Sequence, residues 1–470
     1  MSGAPNPVLF IGGMCSLPLG TMERQLGNMA ILNPMVELLK ETLPGARIRT
    51  SLQLSEAWCA RNGVESLKIR ELYEPTLRSG VLAVFDWARS ALWRTARRLG
   101  LRADFLIRGP KMDALREADL YLDFSGDTFG FMADARHLLK HTFDLMTAYN
   151  LGTPIYMIAQ SPGPFPTAYR RFLARRVFRR VALVAARENE AYRGLREFMG
   201  PAFPVVKTAC TAFLLRPASA DQVDAAIRAE NFARFESPLI GLNFTGFNLV
   251  KSMAGGGKYR EEWPEEALQP MLETARFLLD ELKANVVLIP HVYRVNERGE
   301  FIKGPDTKVL EQFKRVLDPG GRQYGDRVML FEGMHEVDVV KGVIGRLDLF
   351  ISGRLHAGVA GLSQAVPTVM IAYGPKHRGF AAHVGQESRV AECLQGRVES
   401  DELIAVIRRA WRDRARISAE IAAKLPETRR KARQNLMFVK ALVEARRAHG
   451  GTLPPAVIAA LLESHGEPQD

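Results

Sequence analysis

The chain has 470 residues, with 64 lysines and arginines against 52 acidic residues, a formal net charge of +12, and a globular composition that is 47% hydrophobic and 25% charged. That length exceeds one ordinary hydrophobic core and suits two domains of roughly 200 residues each. The four cysteines, Cys15, Cys59, Cys210 and Cys393, lie far apart with no CxxC pair and no Cys/His cluster of zinc spacing, which fits a reducing compartment and offers no ligand set for a metal.

No lysine or arginine precedes the apolar run Val8 to Ile11, so the basic start of a secretory signal is missing and the run reads as a first strand. A helix is predicted over Asn28 to Glu41, with Asn28 as its cap and Asn33-Pro34 in its first turns. The segment Arg61 to Lys111 reads as a basic helical insertion with Trp87 and Trp93 and little strand pattern. Its run from Arg89 to Arg108 mixes arginines with Trp93 and Phe105. Strands follow at Leu120 to Phe124, closed by Ser125-Gly126-Asp127, and at Ile155 to Ile158, which runs into the turn Gln160 to Pro164. "RRFLARRVFRR", Arg170 to Arg180, holds six arginines; at helical spacing Arg171, Arg175 and Arg179 share one face, and Leu173, Val177 and Val181 lie along another. Leu183 to Ala185 is a further strand, followed by Arg187 and Glu188.

Around Arg216 to Ser237 the strand signals give way to one helix, which places the domain junction there. A new sheet is expected from Leu239 to Phe244, Val286 to Ile289, Val328 to Phe331 and Leu347 to Ile351. The last run ends at Ser352-Gly353, a helix of small residues follows from Leu355 to Gln364, then a strand from Pro367 to Ala372 and the turn Tyr373-Gly374-Pro375. Charged helices over Asp401 to Ala422 and Pro426 to Ala448 close the chain. The expected organisation is therefore a domain over 1–220 with a helical insertion near 61–111, a second over 235–400, and helices with a polar tail over 401–470. The alternation of strand and helix gives an α/β class with two Rossmann-like halves facing across a cleft. The uncharged stretch around His356 carries Gly, Ser, Gln and Pro, unsuited to a bilayer core, so no transmembrane helix is expected and the chain reads as soluble and cytoplasmic.

Arg354 and His356 fall at a strand end and the first turn of a helix, where α/β sheets bind ligands, where helix N–H groups attract anions, and where a guanidinium fork matches carboxylate or phosphate. Other strand-end candidates are Asn28, Asp127, Gln160, Arg187, His291 and Lys376. Three of these have a plainer reading: Asp127 as a helix cap, Arg187 as a local ion pair with Glu188, His291 as a packing or capping histidine.

The stretch "SGRLHAGVAGLSQAVPTVMIAYGPK" resembles the Arg-Leu-His block of the polysaccharide pyruvyl transferases, with its helix, strand and lysine-bearing turn. "GTPIYMIAQSPGPF", "RRVALVAARENEAYRGL" and "LGNMAILNPMVELL" are similar to further segments of that family, and the matches run from Gly27 to Phe380. The departures are Ser125-Gly126-Asp127 in place of a glycine-rich turn, the 61–111 insertion, and Glu188 where an aspartate is usual. The resemblance implies a GT-B-like fold, phosphoenolpyruvate as donor and co-substrate, and a polysaccharide or lipid-linked saccharide acceptor joined through two hydroxyls as a pyruvate ketal. Arg354 and Arg187 would supply forks for the donor's two anionic groups, Lys376 a point charge, and Leu355 the middle of the motif. His356 would be the acid that protonates the enol methylene or, if neutral, a donor to phosphate oxygen. Asn28, Asp127, Gln160 and His291 are left for the acceptor or the cleft. No cofactor is required; a divalent metal and the oligomeric state stay open. The basic face Arg171/Arg175/Arg179 suggests peripheral contact with the anionic inner face of a membrane, and no nucleic-acid module accompanies it. The alternatives are a nucleotide-sugar glycosyltransferase of the same fold in cell-surface polysaccharide synthesis, and a non-catalytic basic scaffold.

Overall fold

The computed structural model describes residues 5–13, 22–67, 77–127, 129–130, 135–232, 235–249, 260, 262–295, 300–374, 376–392 and 399–465. Cys15, Cys393 and Pro375 lie outside them; Cys59 and Cys210 are buried free thiols. The chain divides into two compact units, one of residues 1–22, 35–210 and 431–470, the other of 23–34 and 211–430.

The first unit is built on β1 (Val8–Gly12), β2 (Arg47–Thr50), β3 (Val64–Ser66), β4 (Leu120–Asp123), β5 (Ile155–Gln160), β6 (Leu183–Ala186) and β7 (Val205–Lys207), all parallel in the order β3-β2-β1-β4-β5-β6-β7. Every residue of β4, β5 and β6 is buried. A strand covered on both faces needs continuous apolarity, which is why these three are legible in the sequence. The order reverses between β1 and β4, where Gly12 pairs with Asp123, and this switch point is where an open α/β sheet leaves a crevice beyond its strand ends.

The second unit is built on β8 (Leu239–Asn243), β9 (Asn285–Leu288), a two-residue antiparallel pair β10 (Arg294–Val295) and β11 (Phe301–Ile302), then β12 (Val328–Leu330), β13 (Leu349–Ser352), β14 (Thr368–Ala372) and β15 (Val390–Glu392). Its main sheet is parallel in the order β12-β9-β8-β13-β14-β15, so its switch point lies between β8 and β13, where Asn243 pairs with Ser352.

Four expectations change. The first helix runs Leu26–Thr42, so Asn28 sits in its first turn and does not cap it, and Pro34 lies well inside it rather than in the first turns. Leu26-Gly27 is a weak helix start on propensity; the N–H of Asn28 already bonds the Gln25 carbonyl at 2.9 Å. Val64–Ser66, inside the expected insertion, is the edge strand β3, its alternation too short to register against the basic residues around it. The charged C-terminal region forms Ser400–Arg412 and one continuous 35-residue helix Arg414–Ala448 that contains Pro426. Finally, 401–470 is not a body of its own. Arg429 donates to the Ser363 carbonyl in the second unit, whereas Asn435 donates to the Ala209 carbonyl and Arg447 pairs with Asp119 in the first. Residues 23–34 join the second unit because Gln25 pairs with Val292 and the Tyr293 N–H bonds the Arg24 carbonyl at 2.9 Å.

Candidate active site

At the switch point of the second unit, β13 ends on Ser352 and the chain turns through Gly353. A Cβ there would come within 2.2 Å of Asn248 Oδ1, so only glycine lets the turn close. Arg354, in extended conformation, is the N-cap of the helix Leu355–Leu362, and its N–H donates to Asn243 Oδ1 of β8 at 3.0 Å. The guanidinium then grips Asp306, Nε to Oδ2 at 3.1 Å and Nη2 to Oδ1 at 2.5 Å. Asp306 is fully buried at the start of the helix Pro305–Leu317, where the helix dipole favours a carboxylate, and its Oδ2 also accepts the His291 N–H at 3.2 Å.

His291, just past β9, is buried, and neither ring nitrogen has a hydrogen-bond partner among the described residues. Burial and then the charge of Arg354 push its pKa down to about 3, so the ring is a neutral imidazole. His356, half-buried in the first turn after Arg354, meets Phe380 edge-on at 6.1 Å. Gly27 lies against it: a Cβ at 27 would stand 2.9 Å from His356 Nδ1, which places Asn28, the next residue, in the same neighbourhood. From Arg354 an aromatic chain leads to the lysine-bearing turn. Its guanidinium carbon is 5.7 Å from the Phe247 ring, Phe247 stacks on Tyr373 at 5.1 Å, and Tyr373 meets His377 at 4.6 Å. Lys376 opens the helix Lys376–Ala382, and next to it His377 is fully buried, with Nδ1 3.0 Å from the Gly374 carbonyl and no partner for Nε2 among the described residues. Burial, then the Lys376 charge, lowers its pKa to about 3.

The second unit thus gathers Arg354, His356, His291, Lys376 and Asn28. Leu355 is buried, an apolar anchor between the two polar residues of the motif. Asp306 and His377 had no signal of their own, although Gly304-Pro305-Asp306 is a helix start and His377 follows Lys376 directly.

Gln160, Arg187 and Asp127 belong to the first unit. Gln160 Nε2 donates to the Asp123 carbonyl at 2.7 Å and so ties β5 to β4. Arg187 is buried; its Nε donates to Ser161 Oγ at 2.6 Å, and that hydroxyl donates to Glu188 Oε2 at 2.9 Å. With Glu188 Oε2 itself 3.9 Å from Arg187 Nε, this is the local pairing that was the plainer reading of Arg187. Asp127 is half-buried and accepts the Gly130 N–H on its carbonyl; the helix Ala135–Asn150 begins too far on for Asp127 to cap it. A further cluster had no signal in the sequence: Ser125 Oγ donates to Asp123 Oδ1, and His141 Nε2 lies 3.1 Å from that hydroxyl and 3.3 Å from Asp123 Oδ2. Among the described residues no three His, Cys, Asp or Glu side chains are grouped to hold a metal ion, and no helix is long and apolar enough to cross a membrane.

Two parallel α/β units with polar strand ends define a GT-B-like fold. Structures of that shape include the Anabaena protein HepE in complex with UDP (13% identity, 94% of this chain and 100% of that one, TM-score 0.51). The UDP-GlcNAc 2-epimerase of Neisseria meningitidis bound to UDP-GlcNAc is alike too (12% identity, 93% and 99%, TM-score 0.53), as is S. aureus MnaA with UDP (12% identity, 94% and 97%, TM-score 0.52). At such identities the likeness is one of fold. No curated protein matches the chain in sequence. The profile of the polysaccharide pyruvyl transferases matches residues 26–375, most of the chain, and the chain belongs to that family.

Proposed function

We propose that this chain transfers the enolpyruvyl group of phosphoenolpyruvate to two hydroxyls of a saccharide, and that the donor binds at the switch point of the second unit. The observation that carries the proposal is the meeting of Arg354 with His291, a cation fixed by a buried carboxylate beside an imidazole whose nitrogens have no partner among the described residues. A doubly anionic ligand meets there the helix start at Leu355, the Arg354 fork whose plane Asp306 sets, and the Lys376 charge, all formed before it arrives.

His356 then delivers a proton to the methylene carbon, which becomes the methyl group, and positive charge develops at the neighbouring carbon. A first hydroxyl oxygen bonds to that carbon, the carbon–oxygen bond to phosphate breaks, and the second hydroxyl closes the ring. Of the two hydroxyl protons, one restores His356 and the other leaves with inorganic phosphate. Two carbon–oxygen bonds form and one breaks, without oxidant or reductant.

The second reading, a nucleotide-sugar glycosyltransferase, is favoured by one observation: fold neighbours hold UDP. Thermal shift separates the two, because a ligand that binds only the folded state raises the melting temperature by mass action. Millimolar phosphoenolpyruvate should stabilise the parent protein, and Arg354→Lys, which keeps the charge and loses the fork, should remove most of the shift. Stabilisation by UDP alone would establish the second reading. Mass spectrometry of candidate glycans incubated with phosphoenolpyruvate then identifies the ketal.

A further inference from the structure

We infer that the helix Leu77–Arg98 and the turn after it dock the protein on an anionic membrane surface. A helix on the outside of a globular protein normally turns its apolar stripe inward and its polar face to water. This one does the reverse. Among its described side chains the fully buried ones are small or polar, Ser79, Ala83 and Ser90, apart from Trp93. The opposite face carries Val81, Phe85, Leu92 and Leu99, exposed by 60%, 56%, 61% and 71%. Their spacing of four, seven and seven residues keeps them in one line along the helix, about 27 Å from first to last at the usual rise. The chain then turns back on the helix, where Asp104 accepts from the Trp93 indole, and this turn exposes Leu101 and Phe105 by 62% and 65%. Single exposed apolar residues are ordinary, but here four large ones share one line and two more are exposed in the turn that follows.

The helix cannot roll to hide that stripe. Asn150 donates to Ser90 Oγ at 3.0 Å, Arg94 donates to the Tyr149 carbonyl at 2.8 Å, and Lys111 joins Asp86 to Asp144 at 3.0 and 2.7 Å. The small residues Ser79, Ala83 and Ser90 let it lie close to the helix Ala135–Asn150, with which it is in contact along its length.

Charge identifies the occupant. Residues 77–108 hold seven arginines against Asp86 and Asp104. Both acids are engaged within the protein, Asp86 by Lys111 and Arg89, and Asp104 by the Trp93 indole at 2.9 Å. Arg98 at the helix end and Arg102 and Arg108 in the segment after it are exposed too, the composition of a helix that lies in the plane of a bilayer interface and sends its cations to the phosphates. The arginine helix Ala168–Phe178 also packs against Ala135–Asn150 and repeats the theme, exposing Phe172 by 58% among Arg171, Arg175 and Arg176. Tyr149 links the two, with Arg94 over its ring at 4.1 Å and Arg180 at 5.5 Å. A second protein surface would have to match this long apolar line and its exposed arginines; a sheet of anionic headgroups over acyl chains matches it without any particular shape.

The test is flotation of the full chain with vesicles, without substrate, so that its outcome is independent of donor chemistry. Vesicles of equimolar phosphatidylcholine and phosphatidylglycerol should carry the protein upward, and vesicles of phosphatidylcholine alone should not. Phe85→Ser with Leu92→Ser should weaken partition by about tenfold or more, since each side chain leaves an apolar boundary. Arg98→Gln with Arg102→Gln should weaken it about tenfold and reduce its sensitivity to salt. Both pairs are exposed, so their melting temperatures should stay at the parent's. Failure of the parent to float, equal binding to uncharged vesicles, or undiminished binding by the serine pair would overturn the assignment. So would a parent dimer that the serine pair converts to monomer, which would give the face to a second copy of the chain.

Discussion

The two sheets offer a comparison within one molecule, because each has a buried histidine near its switch point at the same 3% exposure. In the first unit His141 is engaged by Ser125 and Asp123, within 3.1 and 3.3 Å. In the second, His291 keeps both ring nitrogens without a partner among the described residues, although its backbone N–H is satisfied by Asp306. A buried polar atom left unpaired costs free energy unless something else meets it, so equal burial carries opposite meanings. His141 is met by Ser125 and lies against Asp123, whose Oδ2 itself has no hydrogen-bond partner among the described residues, whereas both ring nitrogens of His291 are left without one.

The largest effect expected from breaking that contrast is on stability. Arg354→Ala strands the buried Asp306 carboxylate and should cost about 3–5 kcal/mol in urea unfolding, and Arg354→Ala combined with Asp306→Asn should recover part of it. A loss below about 1 kcal/mol would mean that Asp306 does not depend on Arg354.

Next comes chemistry at His356. His356→Gln should leave the phosphoenolpyruvate thermal shift close to the parent's while turnover falls by about 100-fold or more. Weakened donor binding at unchanged turnover would assign the residue to binding instead.

The pH dependence of stability reports on the buried histidines of the second unit. His291 and His377 have folded-state pKa values near 3, against 6.5 for an unperturbed imidazole. Between those values the unfolded chain binds protons that the native state does not. Each contribution is therefore fully present above pH 6.5 and is lost as pH falls toward 3, by about 1.4 kcal/mol per pH unit for each ring. His291→Gln should flatten that slope between pH 7.5 and 5.5 in a series of urea midpoints; an unchanged slope would mean that its ring titrates normally.

Ser125→Ala removes one partner of His141 and Asp123 and should cost about 1–3 kcal/mol of stability, with turnover per folded molecule within several-fold of the parent. A collapse of turnover at intact stability would make the first unit's cluster catalytic and end the contrast. The smallest effect is expected from Gly27→Ala. The added methyl forces His356 to shift, and turnover should drop by about tenfold with the donor thermal shift retained.

The sequence by itself determined the architecture and the motif of the second unit. Strands such as Ile155–Gln160 and Leu349–Ser352 are buried on both faces, and their unbroken apolar runs are visible without context. Arg354 and His356 are legible because a strand end, a glycine turn and a helix start adjoin in the chain, so local rules suffice to place them. Arg47–Thr50 and Val64–Ser66 were not legible: short strands toward the sheet edge, with polar residues exposed along one side, carry too little pattern. Only the tertiary structure decided that Arg354 meets an aspartate 48 positions away, that Ser125 and Asp123 hold His141, and that Gly27 rests on His356. It also decided which side of Leu77–Arg98 faces outward, since periodicity marks two faces of a helix without saying which one is covered. Each of these depends on packing between segments distant in sequence, and that packing is fixed by the whole core rather than by any stretch of residues within it.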